Sequence, residues 1–153
     1  MKLITFSLWG NDPKYLHGAQ RNAELAQEIY PDWICRFYIA QSVPYGLIAK
    51  LKKYSNVEVV ELTEFGDWKT STWRFVPLGD PNVEVVISRD TDSRPTLREK
   101  AAVDEWVASG KSFHIMKDHP WHFTHPILAG MFGGKGNSVP DIKQKLANYK
   151  NRV

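Results

Sequence analysis

Strand-like apolar runs alternate with helical patterns along this chain, and that alternation limits the folds it can adopt. The runs cover residues 3–8, 34–39, 57–62, 83–88 and 112–116. Helical patterns follow four of them, at about residues 17–29, 44–53, 96–110 and 141–150. Strands that alternate with helices build a mostly parallel sheet with helices on both faces. The sequence therefore predicts an α/β fold, and its 153 residues suit a single domain over positions 1–153.

The composition excludes several classes of protein. Apolar residues make up 42% and charged residues 24% of the chain, which argues against wholesale disorder. The formal charge is +3, and the basic residues are scattered rather than striped, so we predict no nucleic-acid partner. No apolar run approaches the roughly 18 residues of a membrane span. The lone Cys35 lies in the apolar stretch WICRFYI, which predicts a small buried side chain in a reducing, cytoplasmic compartment.

Two aspartates, Asp90 and Asp92, follow the fourth run directly in the stretch ISRDTDSR. Ligands of such sheets bind outside the carboxyl ends of the strands, which is where these acids are expected. Mg²⁺ and Mn²⁺ bind to one or two carboxylates together with water and phosphate oxygens. Aspartate is also common in turns, where it accepts hydrogen bonds from the backbone, so a bare Asp-x-Asp is ambiguous. The position after a buried strand favours Asp90 and Asp92 as metal ligands.

Three arginines are candidates for binding phosphate. Arg89 and Arg94 flank the two acids, and they could either face phosphate oxygens or form ion pairs that hold the loop. Arg74 lies between Trp73 and Phe75, where it could contact a phosphate or a base, or pack in a cation–π arrangement. The residues alone leave both interpretations open for each arginine.

The stretch HIMKDHPWHFTHP holds four of the five histidines. Three of them are spaced by three residues, but two prolines interrupt any helix that could bring them together, and no cysteine supports a zinc site. Asp118 and His119 are more informative, because they follow the fifth run at the predicted ligand-binding edge. A carboxylate there could hold a sugar hydroxyl, serve as a base or cap a turn.

A glycine-rich segment, ILAGMFGGKG, follows as a predicted loop without regular structure. Its glycines, Gly130, Gly133, Gly134 and Gly136, indicate that the backbone passes close to bulky groups. The spacing fits neither a P-loop nor a dinucleotide-binding fingerprint, so we reject both.

Taken together, the stretches FSLWG, WRF, ISRDTDSR, HIMKDHPWH and PILAGMFGG resemble the small GT-A-fold glycosyltransferase-like proteins of viruses and microbes. That group includes the first domain of a chlorovirus glycosyltransferase, and the resemblance runs from about residue 3 to residue 134. It implies a GT-A-like fold and a nucleotide-diphosphate-sugar donor, expected to be a UDP-sugar. It also implies Mn²⁺ or Mg²⁺ between the diphosphate and the Asp90 and Asp92 carboxylates. The acceptor would be a hydroxyl of a glycan or protein, in the host cytoplasm if the protein is viral.

The resemblance also implies positions for the ligands. The nucleotide is expected against the end of the first strand, and Asp118 and His119 are expected near the donor sugar and the acceptor as catalytic candidates. The expected donor contacts are Phe6, Ser7, Leu8, Trp9, Arg74, Arg89 and Asp90.

Relatives continue well past the glycine-rich segment, whereas this chain is shortened there and is expected to lack the usual acceptor part. Such a chain could be a truncated protein, a compact protein that forms homo-oligomers, or a domain that binds the donor without transferring it. We predict a metal-dependent glycosyltransferase, with a non-catalytic nucleotide-sugar-binding module as the alternative. A phosphatase of the haloacid dehalogenase type is more remote, because its Asp-x-Asp follows the first strand of the fold.

Overall fold

The computed structural model describes residues 1–151, and six strands lie at its centre. They are β1 (Lys2–Leu8), β2 (Trp33–Ile39), β3 (Val57–Glu61), β4 (Val85–Ser88), β5 (Phe113–Ile115) and β6 (Phe132–Lys135). One sheet holds them all in the order β3-β2-β1-β4-β6-β5. The first four strands are parallel, and β6 runs antiparallel to both β4 and β5. The predicted α/β class with a mostly parallel sheet is confirmed.

Within residues 1–151, four α-helices flank the sheet: α1 (Pro13–Ile29), α2 (Tyr45–Leu51), α3 (Leu97–Ser109) and α4 (Ile142–Lys150). Helix α1 begins four residues before its predicted start. The carboxylate of Asp12 accepts a hydrogen bond from the Lys14 N–H at 2.8 Å, and Pro13 takes the first helical position, where its missing N–H costs nothing. Helix α3 lies where predicted, because Thr96 caps its start and Gly110 ends it with φ at 72°.

The strands β1, β2 and β4 are buried on both faces of the sheet, whereas the edge strands β3 and β5 are partly exposed. On one face, Phe6 stacks on Phe37 with ring centroids 4.6 Å apart, within a core that α1, α2 and α3 cover. On the other face, Leu3 and Val86 pack with Ile142 of α4. Cys35 is completely buried, as predicted, and desolvation raises the pKa of its thiol to about 12.

The glycine-rich segment corrects one prediction, because residues 132–135 form strand β6 and not a loop. Glycine is depleted in strands, so the composition concealed this one. A Cβ at Gly133 would lie 3.1 Å from the Ile87 side chain and 3.2 Å from Trp106, and one at Gly134 would overlap Leu78. The predicted close approach of the glycine backbone to bulky groups is confirmed.

A 3-10 segment, Trp68–Gly79, connects β3 to β4 and was not predicted. Asp67 begins it through reciprocal hydrogen bonds with Thr70. The segment is fastened to β1, since the Thr5 hydroxyl donates to the Arg74 carbonyl at 2.8 Å. It therefore carries Arg74 to the place where β1 and β4 end. No helix among residues 1–151 is both long and apolar enough to cross a membrane.

Candidate functional site

A cleft of about 600 Å³ opens at the carboxyl ends of β1 and β4. These two strands are neighbours, and from β1 the chain builds the sheet outward in one direction through β2 and β3 before β4 is added on the other side. Such a switch point is where open α/β sheets bind their ligands. The cleft is lined by the end of β1, the start of α1, the 3-10 segment and the loop after β4. The polar and aromatic lining residues are Ser7, Trp9, Asn11, Asp12, Tyr15, Ser71, Arg74, Asp90, Thr91 and Asp92.

Arg74 holds one side of the Asp90 carboxylate. Its Nη1 donates to Asp90 Oδ1 at 2.5 Å and to the Arg89 carbonyl at 2.9 Å. The Arg74 side chain is 9% exposed, whereas that of Asp90 is 49% exposed. Arg74 also has its guanidinium carbon 5.8 Å from the centre of the Phe75 ring, so the ion pair and the cation–π contact coexist. Arg74 therefore orients Asp90 from beneath the cleft.

Gly130 lies against the other side of Asp90. A Cβ at this position would overlap Asp90 Oδ2. The short 3-10 turn Ala129–Met131, which leads into β6, can approach the carboxylate only because residue 130 has no side chain. Asp90 is thus confined between a buried guanidinium and a glycine backbone.

Asp92 has a more exposed partner. Lys14 Nζ, on the first turn of α1, lies 2.7 Å from Asp92 Oδ2, with the two side chains 60% and 30% exposed. The hydrogen bond to Asp92 raises the pKa of Lys14. A mobile surface ammonium can leave this carboxylate at little cost, so Asp92 remains available to another cation.

The turn between the two acids is fastened to α1. A Cβ at Gly18 would overlap the Thr91 carbonyl, so the helix and the turn touch backbone to backbone. The Arg94 Nη1 donates to the Thr91 carbonyl at 2.8 Å and to Asn22 Oδ1 at 3.0 Å. Arg94 therefore holds the loop through carbonyl and amide oxygens, and not through the ion pair that one of its two interpretations predicted.

Arg89 is buried behind the same loop. Its Nε donates to Glu99 Oε1 at 2.8 Å, and its Nη1 donates to the carbonyls of Ser88 and Phe132. Glu99 accepts a further hydrogen bond from the Tyr30 hydroxyl at 3.0 Å. Arg89 thus forms an ion pair, which matches one of its two interpretations. The Glu99 carboxylate contacts Arg89 and Tyr30, and it does not hydrogen-bond back to the start of α3.

The predicted nucleotide wall at the end of β1 divides into two parts. Ser7, Leu8 and Trp9 line the cleft, and the Ser7 hydroxyl accepts from the Arg74 N–H and donates to the Ser71 carbonyl, both at 3.1 Å. Phe6 does not line this cleft, because its ring belongs to the core beneath it.

The donor atoms in the cleft suit a hard cation only in part. Asp90 and Asp92 supply carboxylate oxygens, which Mg²⁺ and Mn²⁺ prefer. Within residues 1–151, no group of three or more His, Cys, Asp and Glu side chains could hold a metal ion. A cation at the two aspartates fits this donor set if water and the oxygens of a bound diphosphate complete its shell.

A second cavity, of about 850 Å³, also has Asp90 in its wall. Asp118 lines it, at the same sheet edge as Asp90, because β5 and β4 both run antiparallel to β6. Asp118 Oδ1 lies 3.0 Å from His122 Nδ1. His119 lies apart from both cavities, and its Nδ1 accepts from the Trp121 N–H at 3.2 Å to cap a 3-10 turn.

Several residues of the site were not predicted from the sequence. Asp12, which lines the cleft, could have been found from the Asp-Pro pair that typically starts a helix. Gly18, which packs against the Thr91 carbonyl, could have been found from its place inside a helical pattern. Nothing in the local sequence marks Tyr15 or Ser71, because they reach the cleft only through the packing of α1 and the 3-10 segment.

No protein-family model matches the chain, and no curated protein matches it in sequence. Solved structures do match its fold. One is galactosyltransferase LgtC in complex with donor and acceptor sugar analogs, with a TM-score of 0.55, 13% identity, and coverage of 100% of this chain and 66% of LgtC. Another is 4-diphosphocytidyl-2C-methyl-D-erythritol synthase from Anaerococcus prevotii, with a TM-score of 0.52, 14% identity, and coverage of 99% and 73%. The chain has a GT-A-like α/β fold, as predicted, and spans about two thirds of the length of LgtC.

Proposed function

We propose that this chain is a metal-dependent glycosyltransferase that binds a nucleotide-diphosphate sugar, a UDP-sugar in the first instance, in the cleft between β1 and β4. One observation carries the proposal: both acids of the Asp-x-Asp motif line a cleft at the switch point of the sheet, opposite the end of β1. The fold shared with a galactosyltransferase supports the same class of reaction.

In this proposal Asp90 and Asp92 hold Mn²⁺ or Mg²⁺. When bound, the ion would supply positive charge against the diphosphate that departs. Lys14, which pairs with Asp92 at the surface, would give up this contact to the ion, and Arg74 keeps Asp90 in place beside the cleft. Ser7, Leu8 and Trp9 form the wall for the nucleoside.

Transfer joins the acceptor oxygen to the anomeric carbon of the sugar. The bond from that carbon to the diphosphate oxygen breaks, and the diphosphate leaves with the electron pair. The acceptor hydroxyl gives its proton to a base, for which we propose Asp118, while His119 fixes the turn that follows it. The acceptor would enter from the second cavity, which shares Asp90 with the cleft.

Titration calorimetry with UDP tests the donor site. We expect binding that requires Mn²⁺ and that Asp90→Asn and Asp92→Asn each weaken by about 10-fold or more. Asp104→Asn is the matched control, because this exposed aspartate of α3 pairs with Lys100 away from both cavities. Absence of metal-dependent UDP and GDP binding, or equal affinity in all three variants, would refute the proposal. Release of UDP from a UDP-sugar then separates an enzyme from a module that only binds.

A further inference from the structure

We infer that the second cavity is a binding site for an anionic group, a carboxylate or a phosphate. This inference rests on the proposed function in one respect: if the chain transfers a sugar, its acceptor is an acidic carbohydrate. The charges on the walls of the cavity carry the inference.

The cavity lies between the first turns of α3 and the segments on either side of the Pro120–Thr124 turn. Asp90 forms part of its wall, so the cavity adjoins the cleft at the Asp-x-Asp motif. Met116 and Leu128 provide apolar lining, and the volume of about 850 Å³ can accommodate a small saccharide.

Every acidic side chain that lines this cavity already has a basic neighbour. The contacts are Asp90 with Arg74 at 2.5 Å, Glu99 with Arg89 at 2.8 Å and Asp118 with His122 at 3.0 Å. The Asp90 and Glu99 carboxylates are therefore offset by guanidinium groups, which leaves Asp118 as the one carboxylate in the lining without an arginine or lysine partner among residues 1–151.

Three of the four arginine and lysine side chains on the walls have no such balance. Within the described chain, Arg94, Arg98 and Lys117 form no ion pair with a carboxylate. Arg94 donates to backbone carbonyls and to Asn22 Oδ1, which leaves its charge uncompensated. Lys117 has its Nζ 5.4 Å from the centre of the Phe123 ring. These three cations give the cavity a positive excess.

Helix α3 adds to this excess from one wall. Thr96, Arg98 and Glu99 all line the cavity, and they belong to the cap and first turn of a 13-residue helix. The N-terminus of a helix carries a partial positive charge and free N–H groups, and Thr96 takes up only the N–H of Glu99. The N–H groups of this first turn favour a ligand that brings acceptor oxygens.

The neighbouring cleft has the opposite character. Asp12, Asp90 and Asp92 line it with Arg74 as the one basic residue in the lining, and even with Lys14 paired to Asp92 the carboxylates outnumber these two cations. The two sides of Asp90 therefore suit ligands of opposite charge, a cation in the cleft and an anion in the second cavity.

NMR titration of the full chain with three monosaccharide probes tests the inference. We expect glucuronate or glucose 6-phosphate to bind about 10-fold more tightly than glucose, with the binding weakened by salt. Comparison of the two acids shows whether the site prefers a carboxylate or a phosphate. The double substitution Arg98→Gln/Lys117→Gln should weaken binding of the acid about 10-fold. Lys111→Gln, beyond the other end of α3 and outside the cavity lining, should leave it unchanged.

UDP binding with Mn²⁺, measured on the same proteins, separates the two proposals. If UDP binds and neither acid binds more tightly than glucose, the inference is wrong and the donor site stands. Equal loss of acid binding in the double variant and in Lys111→Gln would also overturn it. If the acids bind as expected but UDP does not, the anion site stands and its role as an acceptor site falls.

Discussion

Gly130 touches the carboxylate of Asp90 so closely that any side chain at position 130 would overlap Oδ2. Arg74 occupies the opposite side of the same carboxylate. Asp90 cannot move toward either neighbour, because the two come from different segments that are both anchored to the sheet, and only its exposed side is open.

Gly130→Ala should therefore displace Asp90 and damage the metal site without removing a ligand. Loss of a group that positions a metal ligand commonly costs 10- to 100-fold in metal affinity, and we expect a loss of about that size in Mn²⁺-dependent UDP binding. Calorimetry on the variant measures it, and circular dichroism checks that the fold is intact. A folded variant with the affinity of the parent would show that Asp90 does not need this position.

Gly18 presents a second close approach, here between α1 and the Thr91 carbonyl. Alanine in place of glycine inside a helix normally stabilises it by about 1 kcal/mol. We expect Gly18→Ala to destabilise the protein instead, because the new methyl group forces the helix away from the Asp-x-Asp turn. Gly46→Ala in α2 is the matched control, since a Cβ there meets nothing within 4 Å, and it should stabilise. Urea unfolding of both variants measures the sign of each change in the free energy of unfolding. A stabilised Gly18→Ala protein would contradict the close contact between α1 and Thr91.

Glu99→Gln should lower the free energy of unfolding, because it leaves the buried charge of Arg89 without its carboxylate partner. Arg89 is 6% exposed at its side chain and Glu99 14%, and removal of one partner of a buried ion pair costs about 3–5 kcal/mol. Glu61→Gln serves as the control, because Glu61 and Lys52 form an ion pair in which both side chains are about half exposed. The free energy of unfolding in urea should fall sharply in the first variant and hardly in the second. Similar losses of unfolding free energy in both variants would mean that the buried ion pair stabilises the protein no more than the exposed one.

His114 should make stability depend on pH. Its ring stacks on Trp106 with centroids 5.2 Å apart, and desolvation, followed by the charge of Arg89, lowers its pKa from the usual 6.5. The folded protein thus favours the neutral ring, whereas the unfolded chain takes up a proton as the pH falls below about 6.5. The contribution of neutral His114 to the free energy of unfolding is complete above pH 6.5, and it is lost as the pH falls toward the lowered pKa of the folded protein.

His114→Phe keeps a ring against Trp106 and removes the titration. We expect its free energy of unfolding to vary less than that of the parent between pH 6.5 and the acid side, as measured by urea unfolding at each pH. His17→Gln changes an exposed histidine and should retain the slope of the parent. If the free energy of unfolding of His114→Phe changes with pH as steeply as that of the parent, His114 is not the source of the pH dependence.

β1, β2 and β4 were predictable because parallel strands that are buried on both faces form largely apolar runs. β6 was not, since its glycines are required by contacts with Ile87, Trp106 and Leu78 that only the folded chain reveals. The 3-10 segment Trp68–Gly79 follows neither the helical nor the strand period, so no pattern marked it.

The position of the two acids also followed from the sequence, because the residue after a strand must lie at the edge of the sheet. Their partners did not. Arg74 is 16 residues before Asp90 and Gly130 is 40 residues after it, and such pairings depend on how connections cross the sheet. Whether an arginine faces a ligand or a neighbouring carboxylate also depends on the tertiary packing, as the ion pair between Arg89 and Glu99 shows.

Asp90 belongs to the walls of both cavities, and this has a thermodynamic consequence. A ligand that changes the charge or orientation of this carboxylate on one side changes the binding free energy on the other. Linkage requires the effect to be equal in both directions, so the two sites should show cooperativity of a common magnitude whichever is filled first. A single shared side chain is sufficient for this coupling, without any movement of the strands or helices.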